Sequence, residues 1–194
     1  LNRNFPVPDA GGDNWIVRNI SRRFGGSGSS DKASSTFRGD APLSEPEARA
    51  VDALCVRERF TACASLHSFM GTCIPPCVRT AAESRAYADL ARAFIKAQRR
   101  THYVRFANRT VDVLTGELED RLHHDLGCWA MTIECFSIRE SIAQHMRAPS
   151  LFWRFNPRAP DAIVHDDVAG VLAFCSRALD LPHPRRALAS TATA

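Results

Sequence analysis

The chain has 194 residues, 45% of them apolar, and a formal net charge of +4. That is enough chain to bury one sizeable core, and no apolar run approaches the roughly 20 residues that cross a bilayer, so a membrane span is not expected. The 25 basic residues are all arginine except Lys32 and Lys96, and they are scattered rather than gathered into the stripe that a nucleic-acid surface shows.

Residues 7–43 are rich in Gly, Ser, Asp and Asn, and Gly25 to Ser30 predicts a flexible loop over about 24–40. Ser44, with Glu47 three residues on, predicts a capping box. The helix it opens would carry Val51, Leu54 and Cys55 on one face. Phe60 to Leu66 reads as a short buried strand ending at His67. Gly71 and Pro75-Pro76 mark a loop. The clearest helix runs from Thr80 to Gln98, with Tyr87, Leu90, Ala91 and Phe94 at helical spacing. Arg99 and Arg100 suit its C-terminal dipole. A strand is expected over Tyr103 to Phe106, and a short helix over Leu118 to Leu126 that Gly127 can close. Cys128 to Ile133 reads as a second buried strand, ending at Glu134. Ser137 and Glu140 form another capping box, opening a helix over Ile138 to Met146. The last helix spans Pro160 to Leu179, with Val164, Val168, Val171, Leu172, Cys175 and Leu179 as its apolar stripe. Residues 182–194 have little to pack and are expected to be a disordered tail. Strands alternating with helices indicate one α/β domain over residues 1–181.

The seven cysteines form no even set for a closed disulfide framework. Cys55, Cys128 and Cys175 fall in apolar periodic segments and read as small buried side chains. This usage favours a reducing, cytoplasmic compartment.

Ligands of open α/β sheets bind beyond the carboxyl ends of the strands. His67 and Glu134 are both placed there. An imidazole suits a metal and a carboxylate suits a general base. Taken singly, a histidine after a strand is more often a hydrogen-bonded loop residue, and a glutamate a solvated one. Cys73 and Cys77 could be half of a structural zinc site with His123 and His124 adding ligands, but no second cysteine pair follows. Pro75-Pro76 between them reads more simply as a stiff turn. His165-Asp166-Asp167 reads as the polar first turn of the last helix.

Four segments occur in one order: Leu1-Asn2-Arg3-Asn4-Phe5-Pro6, Ser44 to Val51, Ser65-Leu66-His67-Ser68-Phe69, and Met131-Thr132-Ile133-Glu134. Together they resemble zinc metallocarboxypeptidases of the A/B type. The resemblance implies a partial three-layer α/β fold, a mixed sheet flanked by helices, of which this chain is the C-terminal portion with the N-terminal strands upstream of Leu1. It implies that His67 is a zinc ligand, that Glu134 is the general base, and that Asn2 and Arg3 hold the substrate's terminal carboxylate, for which a guanidinium's planar fork is suited. Thr115 to Asp120 resembles the segment lining the pocket for the C-terminal side chain. That makes Glu119 the candidate to attract a basic side chain; the competing reading is a solvated helix face.

The family's remaining protein ligands come from a His-x-x-Glu pair. No histidine in this chain is followed by Glu three residues on. A catalytic zinc takes three protein ligands, so this chain alone is not expected to hold zinc tightly or to be active. The family's mobile Tyr also lacks a match, since Asp112 stands nearest its place and Tyr103 lies further off. Phe69 stands where a Tyr is often found. The implied substrate is a peptide or acyl-amino acid with a free carboxylate. Two other readings stay open: a non-catalytic relative that binds peptide termini or a partner, and a related zinc-dependent acyl-amino-acid deacylase.

Overall fold

In the computed structural model, which describes residues 2–6, 29, 31–34, 37–101, 103–105, 116–147 and 150–184, four strands form one sheet. They are β1 (Ala62–Ser68), β2 (Thr72–Ile74), β3 (Val104–Arg105) and β4 (Trp129–Cys135), in the spatial order β1-β4-β2-β3. The sheet is mixed: β1 is parallel to β4, β3 is parallel to β2, and β2 is antiparallel to β4. The helices are α1 (Pro46–Glu58), α2 (Ala81–Ala97), α3 (Leu118–Arg121, continuing as a π turn through Leu122–Leu126), α4 (Ile138–Arg147), α5 (Leu151–Phe155) and α6 (Asp161–Leu179). None of these helices is long and apolar enough to cross a membrane.

The period of two along β4 divides the core. Trp129, Met131 and Ile133 face Tyr87, Leu90 and Phe94 of α2 and Phe174 and Ala178 of α6. Ala130 faces the other way, into a smaller cluster with Cys55 of α1, Leu122 and Cys128. Helices therefore cover both faces of the sheet, as expected for a three-layer α/β fold.

Several elements differ from the sequence reading. Ser44 does not cap α1. Glu45 is the N-cap residue, without a side-chain cap, and Pro46 begins the helix. Instead the buried Asn4 organises this corner: its Oδ1 accepts from the Glu45 N–H at 3.0 Å and its Nδ2 donates to the carbonyls of Arg38 and Ala41 at 2.8 and 2.9 Å. The buried face of α1 is Ala48, Asp52 and Cys55, while Val51 and Leu54 are exposed. Asp52 turns inward because Arg121 meets it at 3.0 Å.

β1 is half-buried, because it lies at the edge of the sheet rather than inside it. Between Gly71 and Pro75 the chain adds β2, a three-residue strand too short to show a period. The capping box of α2 is formed by Thr80 and Glu83. Glu140 N–H donates to Ser137 Oγ at 3.3 Å, and the Ser137 hydroxyl donates to the Glu140 carboxylate at 2.7 Å.

The largest correction concerns α6. Val164, Val168, Leu172 and Leu179 of the expected stripe are exposed, and the buried face is Ile163, Asp166, Asp167, Gly170, Phe174 and Ala178. Two carboxylates lie inward because backbone donors await them. Asp166 Oδ2 accepts from the N–H groups of Arg99, Arg100 and Thr101 at 3.2, 2.6 and 2.7 Å. Asp167 accepts from the Tyr103 hydroxyl at 3.1 Å and from Gln98 at 3.2 Å. About half of the loop expected over 24–40 and most of the expected tail lie outside the described residues; Ser29 and Phe37 form an isolated bridge.

Candidate active site

The parallel pairing of β1 with β4 makes His67 and Glu134 register partners. Each is the penultimate residue of its strand rather than the residue after it. With them on the same face stand Ser65 beside Thr132 and Cys63 beside Ala130, so the face changes from apolar to polar toward the strand ends. β2 closes the other side of β4, where the Gly71 N–H donates to the Glu134 carbonyl at 2.8 Å. The Ser68–Phe69 peptide that follows β1 is cis. Phe69 packs edge-on against Phe155 with ring centroids 4.9 Å apart.

The N-terminal segment enters the same edge. Asn2 Nδ2 lies 3.5 Å from His67 Nε2, and Asn2 Oδ1 accepts from the Leu118 N–H at 2.9 Å. Arg3 follows, and its guanidinium meets Glu117 at 2.7 Å. Phe5 N–H donates to the Gly116 carbonyl at 3.0 Å. Gly116 has φ +81° and lies so close to this segment that an added Cβ would come within 2.6 Å of the Phe5 carbonyl oxygen and 2.8 Å of that of Arg3. Only glycine meets both conditions without strain.

His67 Nε2 is also 3.1 Å from Ser65 Oγ. Burial raises the Glu134 carboxyl above its ordinary range, while the positive fields of His67 and Arg3 pull it back in part. Glu119 is 2% exposed, which removes the reading of a solvated helix face. Burial, then the neighbouring Cys55 and Glu119, push the Cys63 thiol up to about 12.

Sequence reasoning thus names His67, Glu134, Asn2 and Arg3, and the fold brings them to one edge. It passes over Ser65, Thr132 and Glu117. The first two were within reach, since a side chain two residues before a site residue in a strand shares its face. Thr132 is buried, and no hydrogen-bond partner stands at its hydroxyl among the described residues. Glu117 has no such signal, because its partner is more than 100 residues away in sequence. Tyr103 is a core residue: it is buried, and its hydroxyl bridges Asp167 and the Phe136 N–H at 3.1 and 2.9 Å. Asp112 lies outside the described residues.

Among the described residues no group of three His, Cys, Asp or Glu side chains is arranged to hold an ion, Cys77 and its histidine neighbours included. His67 offers one nitrogen where a catalytic zinc uses three protein ligands. The described residues alone therefore do not fit zinc.

A family profile for zinc carboxypeptidases matches residues 1–147. Among solved structures, bovine thrombin-activatable fibrinolysis inhibitor in complex with tick carboxypeptidase inhibitor aligns with TM-score 0.65 and 21% identity, over 93% of this chain and 56% of that one. Thrombin-activatable fibrinolysis inhibitor in a second structure gives 0.65 and 20%, over 94% and 42%. The carboxypeptidase A of Helicoverpa armigera gives 0.60 and 18%, over 92% and 41%. At these identities the structures show a shared fold, and this chain spans about half the length of each or less. No curated protein sequence matches the chain.

Proposed function

Since the chain belongs to the zinc carboxypeptidase family, we propose that it carries the general base and the terminal-carboxylate anchor of a metallocarboxypeptidase, which releases the C-terminal residue of a peptide. The observation that carries this reading is the register pairing of His67 with Glu134, met at the same edge by Asn2 and Arg3.

Glu134 takes the proton of the water that attacks the scissile carbonyl, and its raised pKa makes it a stronger base than a solvated carboxylate. Arg3 pairs with the substrate's terminal carboxylate, and Asn2, tied to Leu118, donates beside it. Glu119, which is buried, attracts a basic side chain on the departing residue. In this family zinc supplies the polarisation of the carbonyl. His67 is proposed as one of its ligands. Its Nε2 lies 3.1 Å from Ser65 Oγ and 3.5 Å from Asn2 Nδ2, contacts that orient the ring and would hold it ready as a ligand. The other ligands are proposed to come from the rest of the full-length protein.

The full-length protein with zinc supplied, assayed for release of a C-terminal residue, tests the reading. Glu134→Gln should lower kcat by about 10²–10⁴ and leave KM near its original value. Full activity in that variant would remove Glu134 from the chemistry. The second reading is a non-catalytic relative that binds peptide termini; elemental analysis finding no zinc in the purified full-length protein would select it. An acyl-amino-acid deacylase would use the same anchor on a smaller substrate.

A further inference from the structure

Glu134 has a register partner on each side in the sheet. His67 stands across from it on β1, and Thr72 stands across from it on β2. The next residue of β2, Cys73, pairs with Ile133, and both belong to the core beneath α2 and α6. Side chains alternate along a strand, so Thr72 lies on the opposite face, the one that carries Glu134. The backbone clamps it there. The Gly71 N–H donates to the Glu134 carbonyl at 2.8 Å, and the Gly71 carbonyl accepts from the Val104 N–H at 2.9 Å.

Thr72 is 3% exposed, and its hydroxyl has no hydrogen-bond partner among the described residues. A buried hydroxyl left unpaired destabilises the fold, and a valine of the same shape would fill the site without that penalty. Packing therefore does not explain the threonine. Of the two residues across from it, Val104 has no polar side chain and Glu134 ends in a carboxylate. The Cβ atoms of directly opposite residues on antiparallel strands lie about 4.5–5.5 Å apart, within reach of a hydroxyl and a carboxylate. Hydrogen bonds at a catalytic base commonly tighten only once substrate is bound. We propose that Thr72 is a positioning residue for Glu134: with substrate in place its hydroxyl donates to one carboxylate oxygen, and the other oxygen is left to take the proton of the attacking water. The threonine keeps its own proton throughout. Its role rests on the reading of Glu134 as the general base.

The full-length protein with zinc supplied, assayed for release of a C-terminal residue and melted in parallel, tests it. Thr72→Val should lower kcat about tenfold, the effect of one hydrogen bond to a charged group. KM should stay within about twofold, and Tm should be unchanged or raised. Thr72→Ser keeps the hydroxyl and loses a buried methyl, so kcat should hold within about twofold while Tm falls. A residue that only packs would not divide activity from stability in this way. In a Glu134→Gln background Thr72→Val should lower kcat no further, because the base that it positions is already gone. Should the valine variant not fold, Thr72→Ala takes its place beside Thr72→Ser. Thr72 is not the positioning residue, and Glu134 is still the base, if Thr72→Val keeps full kcat, if Thr72→Ser loses as much kcat as the variant without a hydroxyl, or if Thr72→Val still lowers kcat in the Glu134→Gln protein. If Glu134→Gln alone keeps full activity, or if the unsubstituted protein releases no C-terminal residue, the general-base reading falls and the role of Thr72 falls with it.

Discussion

Glu134 and Glu83 are both shielded carboxylates, and their neighbours decide opposite outcomes. At Glu134 burial prevails over His67 and Arg3, and the pKa rises. At Glu83 burial is outweighed by the His123 side chain and by the N–H groups of Arg79 and Thr80, and the pKa falls to about 2. Two consequences are measurable. The depressed Glu83 favours the fold above its ordinary value of 4.5, and that stabilisation is lost as pH falls from 4.5 toward 2. The shift corresponds to roughly 3 kcal/mol, so Glu83→Gln should lower stability at neutral pH and flatten the acid limb of a urea-midpoint-against-pH curve. Glu134 must be ionised to act as a base, so the acid limb of kcat/KM in the full-length protein should lie above the ordinary 4.5. Removing the Arg3 charge raises Glu134 further, and Arg3→Gln should move that limb to higher pH; an unmoved limb would separate Arg3 from the base. The placing of His67 and Glu134 near the ends of two strands was legible from the apolar runs before them. Glu117 was not, since an ion pair between distant segments has no local signature.

Among the elements, α2 was the most legible, because its apolar spacing and its burial coincide at Tyr87, Leu90, Ala91 and Phe94. α6 was the least, because Gly170 and two aspartates, rather than its valines and leucines, mark its buried side. Gly170 touches the ring of Phe94, and an added Cβ would lie 2.7 Å from it. Phe94 has no room to yield, being fully buried and stacked on Tyr103 at 6.0 Å. Gly170→Ala should therefore be destabilising. Overpacking costs ~1–3 kcal/mol, against about 1 kcal/mol gained in helix propensity. A raised Tm would show that the α2–α6 contact can relax.

At the scale of the molecule, two faces of one sheet do different work. The face of Trp129, Met131 and Ile133 is filled with aromatic and aliphatic side chains. The face of Ala130 and Thr132 carries small side chains and leads up to Glu134. The fold class was readable from the alternation of strands and helices, and the family from four ordered segments. The order of the strands was not, because β2 and β3 are too short to announce themselves. β1 ends the described sheet with Leu66 57% exposed beside an unpaired row of backbone groups, a template for association between copies. The chain on its own should be poorly soluble. Leu66→Lys should raise the soluble fraction in light scattering, since charge on an edge strand opposes pairing. A stable monomer with a cooperative melt before any substitution would contradict this.

The pairing of His67 with Glu134 across two parallel strands has a genetic corollary. Gaining or losing a single codon inside either strand, upstream of these residues, would rotate one of them through the sheet to the opposite side, whereas the same event in the turns beyond would leave both where they are. Length variation in descendants of this sequence is therefore tolerated between the strands and forbidden within them, whatever amino acid the extra codon specifies.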